Sequence, residues 1–115
     1  MLGDTYKRSG DIDKAIELYT QAVEINTNYD RAYYSLGVAL KDLGRYDEAI
    51  QALNKALLVN PVYTKAYETL GVVYQENNDL DNAVFNFEKA LSTDDKAYKV
   101  HSRLASVYNT QEKYE

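Results

Sequence analysis

Apolar and small residues return along this chain with two nested rhythms. The short one is helical. Tyr33, Leu36, Gly37 and Leu40 fall at i, i+3, i+4 and i+7, one stripe of an α-helix. The stripe breaks at Gly44-Arg45-Tyr46-Asp47, and a second runs through Ala49, Ile50, Leu53, Ala56 and Leu57. The pattern predicts two helices joined by a short turn. The long rhythm is 34 residues: Leu2-Gly3, Leu36-Gly37, Leu70-Gly71 and Leu104-Ala105 stand in register. Ala15, Ala49 and Ala83 keep the same interval, as do Ala22, Ala56 and Ala90. Tyr33, Tyr67 and His101 share one slot, and Tyr19, Leu53 and Phe87 another. A constant period of this size means one helix pair copied and stacked.

The polar punctuation repeats too. Gly10, Gly44 and Asn78 occupy one slot just past the first helix of each unit. Gly and Asn adopt the left-handed conformation that closes a helix C-terminus. Asp13, Asp47 and Asp81 come three residues later, where a carboxylate caps the next helix. Pro61 lies beyond the second helix of its unit. The pattern predicts a shortened opening helix over Leu2–Ser9 and a closing helix from about Tyr98 to Thr110. Small residues have a mechanical role: Gly37 and Gly71 allow close helix approach, Ala49 and Ala83 face them, and Ala56 and Ala90 let one hairpin press on the next.

Tyr67-x2-Leu70-Gly71-x2-Tyr74, Ala83-x3-Phe87 and Pro61 resemble the tetratricopeptide repeat pattern, with Tyr in place of Trp. The resemblance covers the whole chain. It implies an all-α fold, a right-handed α-solenoid of antiparallel helix hairpins, about three repeats with truncated ends. The expected units are a partial one over 1–29, full ones over 30–63 and 64–97, and the first helix of a fourth over 98–115. The register reads as a fragment of a longer array. The stripe of His101, Leu104, Ala105 and Tyr108, with Val107, is then expected to be partly exposed, and Ile16, Tyr19 and Val23 incompletely covered.

Composition narrows the function. Net charge is −5 and the pI about 4.9, against the basic patches that neutralise phosphates, so no nucleic-acid partner is expected. No run reaches the ~18–20 apolar residues of a membrane span. With one His and no Cys, a metal cluster or Cys-His nucleophile has no material, and no catalytic residue, metal or cofactor is expected. His101 sits in a tyrosine slot and reads as a packing residue. Asp94-Asp95 fall in an inter-repeat turn.

The informative surface lies opposite the Tyr33-Leu36-Gly37-Leu40 stripe. In the second unit it holds Arg31, Tyr34, Ser35 and Val38, with Lys41 at the edge. In the third it holds Lys65, Glu68, Thr69 and Val72, and in the fourth Lys99, Arg103 and Ser106. In arrays of the family that these units resemble, first helices line the concave groove where peptides bind. Arg31, Lys65 and Lys99 form a basic row at the period of the repeat, joined by Lys7, Lys41 and Arg103. A positive groove on an acidic body attracts an acidic segment. Tyr34, Val38 and Val72 read as an exposed apolar anchor, although Tyr34 could equally rest on a neighbouring hairpin and Lys65 could pair with Glu68. Co-chaperone domains of the family clamp a terminal carboxylate with two Lys, two Asn and an Arg. Lys99 and Arg103 match the last pair of that set, whereas Tyr34, Val38 and Thr69 do not match the rest. The asparagine ladder of glycosyltransferase arrays is replaced by Ser35, Thr69 and Arg103. The expected function is a protein-interaction scaffold that binds an acidic peptide in its groove. The alternatives are a substrate-recruiting module of a larger enzyme or signalling protein and a scaffold that self-associates through its ends.

Overall fold

The computed structural model describes residues 2–25, 30–94 and 96–114, with backbone only for 2–12, 23, 113 and 114. Lys7 and Val23 therefore lie outside the described side chains, and Asp95 outside the described residues. The described residues form six helices and no strand: α1 (Leu2–Ile25), α2 (Asp30–Asp42), α3 (Tyr46–Val59), α4 (Thr64–Glu76), α5 (Leu80–Thr93) and α6 (Tyr98–Tyr114). The fold is an all-α helical repeat. The chain divides into two compact units, Met1–Asn60 and Pro61–Glu115. In the first, α1 packs on α2 and α2 on α3. In the second, α4 packs on α5 and α5 on α6.

Each unit contains one complete hairpin, α2/α3 or α4/α5. A Cβ added to Gly37 would stand 2.6 Å from Leu53 Cγ and 3.4 Å from the Ala49 carbonyl oxygen. One added to Gly71 would stand 2.5 Å from Phe87 Cδ1. The glycines therefore sit where the paired helices nearly touch, as the period predicts. Ala49, Leu53, Ala83 and Phe87 are fully buried.

The interior turns also match expectation. Gly44 has φ 76° and Asn78 φ 62°, both left-handed. Arg45 N–H donates to the Leu40 carbonyl and Gly44 N–H to that of Lys41, both at 2.9 Å. In the second hairpin Asp79 N–H reaches the Tyr74 carbonyl at 2.8 Å and Asn78 N–H that of Gln75 at 3.1 Å. This paired closure satisfies carbonyls that a helix end would otherwise leave free. Side-chain bonds tie the open ends of the hairpins. Asn60 Nδ2 donates to Asp30 Oδ2 at 3.3 Å. Thr64 and Thr93 hydroxyls meet at 2.7 Å. Thr93 spends its proton on the Ala90 carbonyl, so Thr64 is the donor of the pair.

Four expectations are corrected. First, α1 runs unbroken through Gly10 and Asp13. No turn divides Leu2–Ser9 from the remainder of the helix. A turn interrupts the hydrogen bonds of a helix, and only packing of both flanking helices offsets that. Around Gly10 the helical hydrogen bonds are kept, and the helix continues. Second, α6 likewise passes through Thr110 to Tyr114. Third, Asp47 and Asp81 do not cap. Tyr46 and Leu80 are already helical, which moves the caps to Arg45, whose side chain makes no cap bond, and Asp79, which accepts from Asn82 N–H. Asp47 and Asp81 fall in the first helical turn, where their charge still complements the helix dipole. Fourth, Val107 is fully buried. With Val100 and Leu104 it forms the face of α6 that packs on Ala83, Phe87 and Ala90 of α5. His101, Ala105 and Tyr108 are exposed as expected for the stripe, whereas Leu104 is buried. His101 is thus not a packing residue, because no described helix covers its slot as α3 covers that of Tyr33. Ile16 and Tyr19 are half-buried, as expected.

Candidate functional site

The first helices of the units carry the candidate surface. On α2, Arg31 is exposed, while Tyr34, Ser35, Val38 and Lys41 are half-buried. Tyr34 packs against the core of Ala32, Tyr33 and Ala56. Part of its ring thus belongs to the hairpin's own packing. Lys41 Nζ lies 3.6 Å from Asp42 Oδ1, so its charge is partly answered locally.

In the second unit, Lys65, Lys99 and Ser106 are exposed, and Glu68, Thr69, Val72 and Arg103 half-buried. Val72 is half-buried and packs in part against the α4–α6 core. Helix phase misplaces these residues for one reason. A first helix is contacted on more than one side, so residues flanking the main stripe are covered as well.

Glu68 does not pair with Lys65. Its Oε1 lies 3.9 Å from Arg103 Nε, bringing α4 and α6 together across this face. That distance is too long for a hydrogen bond. Arg103 Nε is enclosed and has no hydrogen-bond partner among the described residues. Gln75 Nε2 donates to Ser106 Oγ at 3.5 Å one step further along.

Lys65, Glu68 and Lys99 line one open depression of about 550 Å³. Thr64 and the α5–α6 turn, with Asp94, Lys96 and Tyr98, complete it. Sequence reasoning missed Lys96 and Tyr98, because neither recurs at the period. Asp94 serves the turn, its Oδ1 accepting from Lys96 N–H at 3.0 Å. Among the described residues, Lys65, Lys96 and Lys99 form no ion pair.

The first unit holds a second hollow, of about 280 Å³, with an apolar floor of Ile16, Tyr33, Leu36, Leu40 and Ala52. Lys55, at its rim, lies 6.0 Å above the Tyr33 ring. Among the described residues no group of three or more His, Cys, Asp or Glu could hold a metal ion. No described helix is long and apolar enough to cross a membrane.

Two tyrosines in the second unit titrate above their ordinary value. Burial raises Tyr74, helped by the charge of Asp79. Tyr108 is raised by its hydrogen bond to Glu88, then by burial and by the charge of the same carboxylate. That bond, 3.0 Å long, pins α6 to α5.

Comparison with known proteins agrees with this architecture. A family described as TPR repeat matches residues 3–44, and families described as tetratricopeptide repeat match 30–63 and 64–96. No curated protein sequence matches the chain. A crystal structure of MamA is similar at 32% identity and a TM-score of 0.87, over 96% of this chain and 65% of that one. The chain thus spans a little under two thirds of the MamA chains it resembles. The first tetratricopeptide domain of Spaghetti (RPAP3), bound to the HSP90 peptide SRMEEVD, shares the fold at 23% identity and a TM-score of 0.86, over 96% of this chain and 87% of that one. The second such domain of human RPAP3, in complex with the HSP70 peptide SGPTIEEVD, does so at 22% and 0.82, over 92% and 88%. From the left-handed turns at Gly44 and Asn78, the helix contacts at Gly37 and Gly71 and the matches over 3–96, this chain belongs to the tetratricopeptide repeat family of protein-interaction scaffolds.

Proposed function

We propose that this scaffold binds an acidic peptide segment on the exposed faces of its first helices. The ligand side would be Lys65, Glu68, Thr69, Lys99, Arg103 and Ser106, all in the second unit. The observation that carries the reading is the pairing of Lys65 and Lys99 in one depression, unanswered by any described carboxylate, on a chain of net charge −5. Such a local reversal of sign concentrates anions and speeds encounter. The peptide SRMEEVD, held by a domain of the same fold, is itself rich in carboxylates. Reversing Lys65 and Lys99 to Glu is expected to weaken an acidic peptide roughly tenfold, the affinity of the parent falling as salt rises. Salt-independent binding that survives the reversal would end this reading. Amidating the peptide's C-terminus is expected to have a modest effect, because Tyr34, Val38 and Thr69 stand where a carboxylate clamp needs other side chains.

Self-association is a second reading, favoured by one observation. His101, Ala105 and Tyr108 form an exposed side of α6, with Tyr108 45% exposed. Sedimentation over a wide concentration range tests it, and a species that stays monomeric throughout would remove it.

A further inference from the structure

The repeat period accounts for Lys65 and Lys99 but not for the residues beside them. Lys96 falls in the slot of Val62, and Tyr98 in that of Thr64. These two residues therefore make the depression of the second unit unlike any other slot on the chain. The acidic side chains in it are engaged. Glu68 faces Arg103, and Asp94 accepts the backbone N–H of Lys96. The lysines outnumber these two carboxylates, and no described carboxylate pairs with any of them. Tyr98 is 75% exposed at the lip, an aromatic plate open to solvent.

Resting on the function proposed above, we infer that this depression is the anchor that sets the register of the bound segment. It takes an acidic side chain that stands next to an aromatic or aliphatic one. The three ammonium groups receive the carboxylate and the Tyr98 ring covers the apolar neighbour, a combination of charge and aromatic contact that concentrates binding energy in few residues. Lys96 and Tyr98 make this anchor particular to its repeat, since Val62 and Thr64 fill their slots one period earlier.

Fluorescence anisotropy with a labelled peptide containing Phe-Glu-Glu tests the inference, beside versions carrying Phe-Gln-Gln and Ser-Glu-Glu. Lys96→Glu and Tyr98→Ser are each expected to weaken the Phe-Glu-Glu peptide about threefold to tenfold. Exchanging the peptide's Phe for Ser is expected to weaken binding to the parent but not to Tyr98→Ser, the coupling that direct contact requires. Lys89→Glu, the same charge change elsewhere on the second unit, is expected to leave affinity unaltered. Binding that drops with Lys65→Glu/Lys99→Glu but not with Lys96→Glu or Tyr98→Ser would overturn this inference and leave the proposed function standing. A drop with Lys89→Glu equal to that with Lys96→Glu would overturn it as well, as a bulk-charge effect. No binding of the Phe-Glu-Glu peptide to the parent protein at low salt would overturn both.

Discussion

In the hairpin α2/α3, Gly37 faces the branch of Leu53, whereas in α4/α5, Gly71 faces the edge of the Phe87 ring. Both contacts fill one slot of the same repeat, and both partner side chains are fully buried. Their tolerance differs. A leucine can yield by turning a torsion, but a phenyl ring moves only as a plate. The turns differ in the same sense. The first hairpin closes on Gly44 with an uncapped α3, and the second on Asn78 with Asp79 capping α5. One repeat pattern thus supports a forgiving solution and a tightly specified one.

The largest effect that could break this comparison is expected at the glycines. Gly71→Ala should destabilise by about 1–3 kcal/mol through overpacking, offset in part by about 1 kcal/mol of helix propensity. Gly37→Ala should lose less. Phe87→Leu should recover part of the Gly71→Ala loss in a double-mutant cycle monitored by denaturant titration. Equal losses at the two glycines, without rescue, would show that the ring is no stiffer a partner than the leucine.

Next in size is the cap. Asp79→Ala should lower stability by about 1 kcal/mol, the usual loss of an N-cap acceptor. Arg45→Ala removes only an exposed ion pair with Glu48 and should stay below about 1 kcal/mol. Thermal melts of the two variants measure the difference, and a larger shift for Arg45→Ala would reverse the ranking.

The smallest effect concerns alkaline pH. Tyr74 and Tyr108 are raised above the ordinary value of 10.0, so the folded chain favours their protonated forms. Their contribution is complete below that value and is lost as pH rises through the higher folded-state values. Both lie in the second unit. Circular dichroism above about pH 10 should show Tyr74→Phe/Tyr108→Phe losing structure later than the parent. Coincident alkaline transitions would show that neither tyrosine matters to the fold.

Residue equivalence was legible in the sequence wherever the period applied. It placed Gly44 and Asn78 in left-handed turns and Gly37 and Gly71 at helix contacts. It could not say which equivalent residues share a conformation. Gly10 is in the slot of Gly44 but inside a helix, because turn formation depends on packing rather than on the residue. Helix phase alone also misjudged Val107, which is fully buried, and could not fix the partial burial of Tyr34 and Val72 by neighbours flanking the main stripe. Of the candidate site, Lys65 and Lys99 were legible because they repeat. Lys96 and Tyr98 were not, because the turn that carries them has no counterpart of the same chemistry.

The unbroken path of α1 through Gly10 bears on how such chains diversify by duplication. Copying a 34-residue segment copies its letters, and Gly10 and Gly44 are one letter in one place. The same inherited glycine is a liability within a helix and a necessity at a turn. Replacing glycine is therefore expected to act in opposite directions at the two positions, favouring the helix at Gly10 by roughly 1 kcal/mol and straining the turn at Gly44. One letter at one place in the period thus carries two different structural duties. Degeneracy among repeats is then a record of which joints bend.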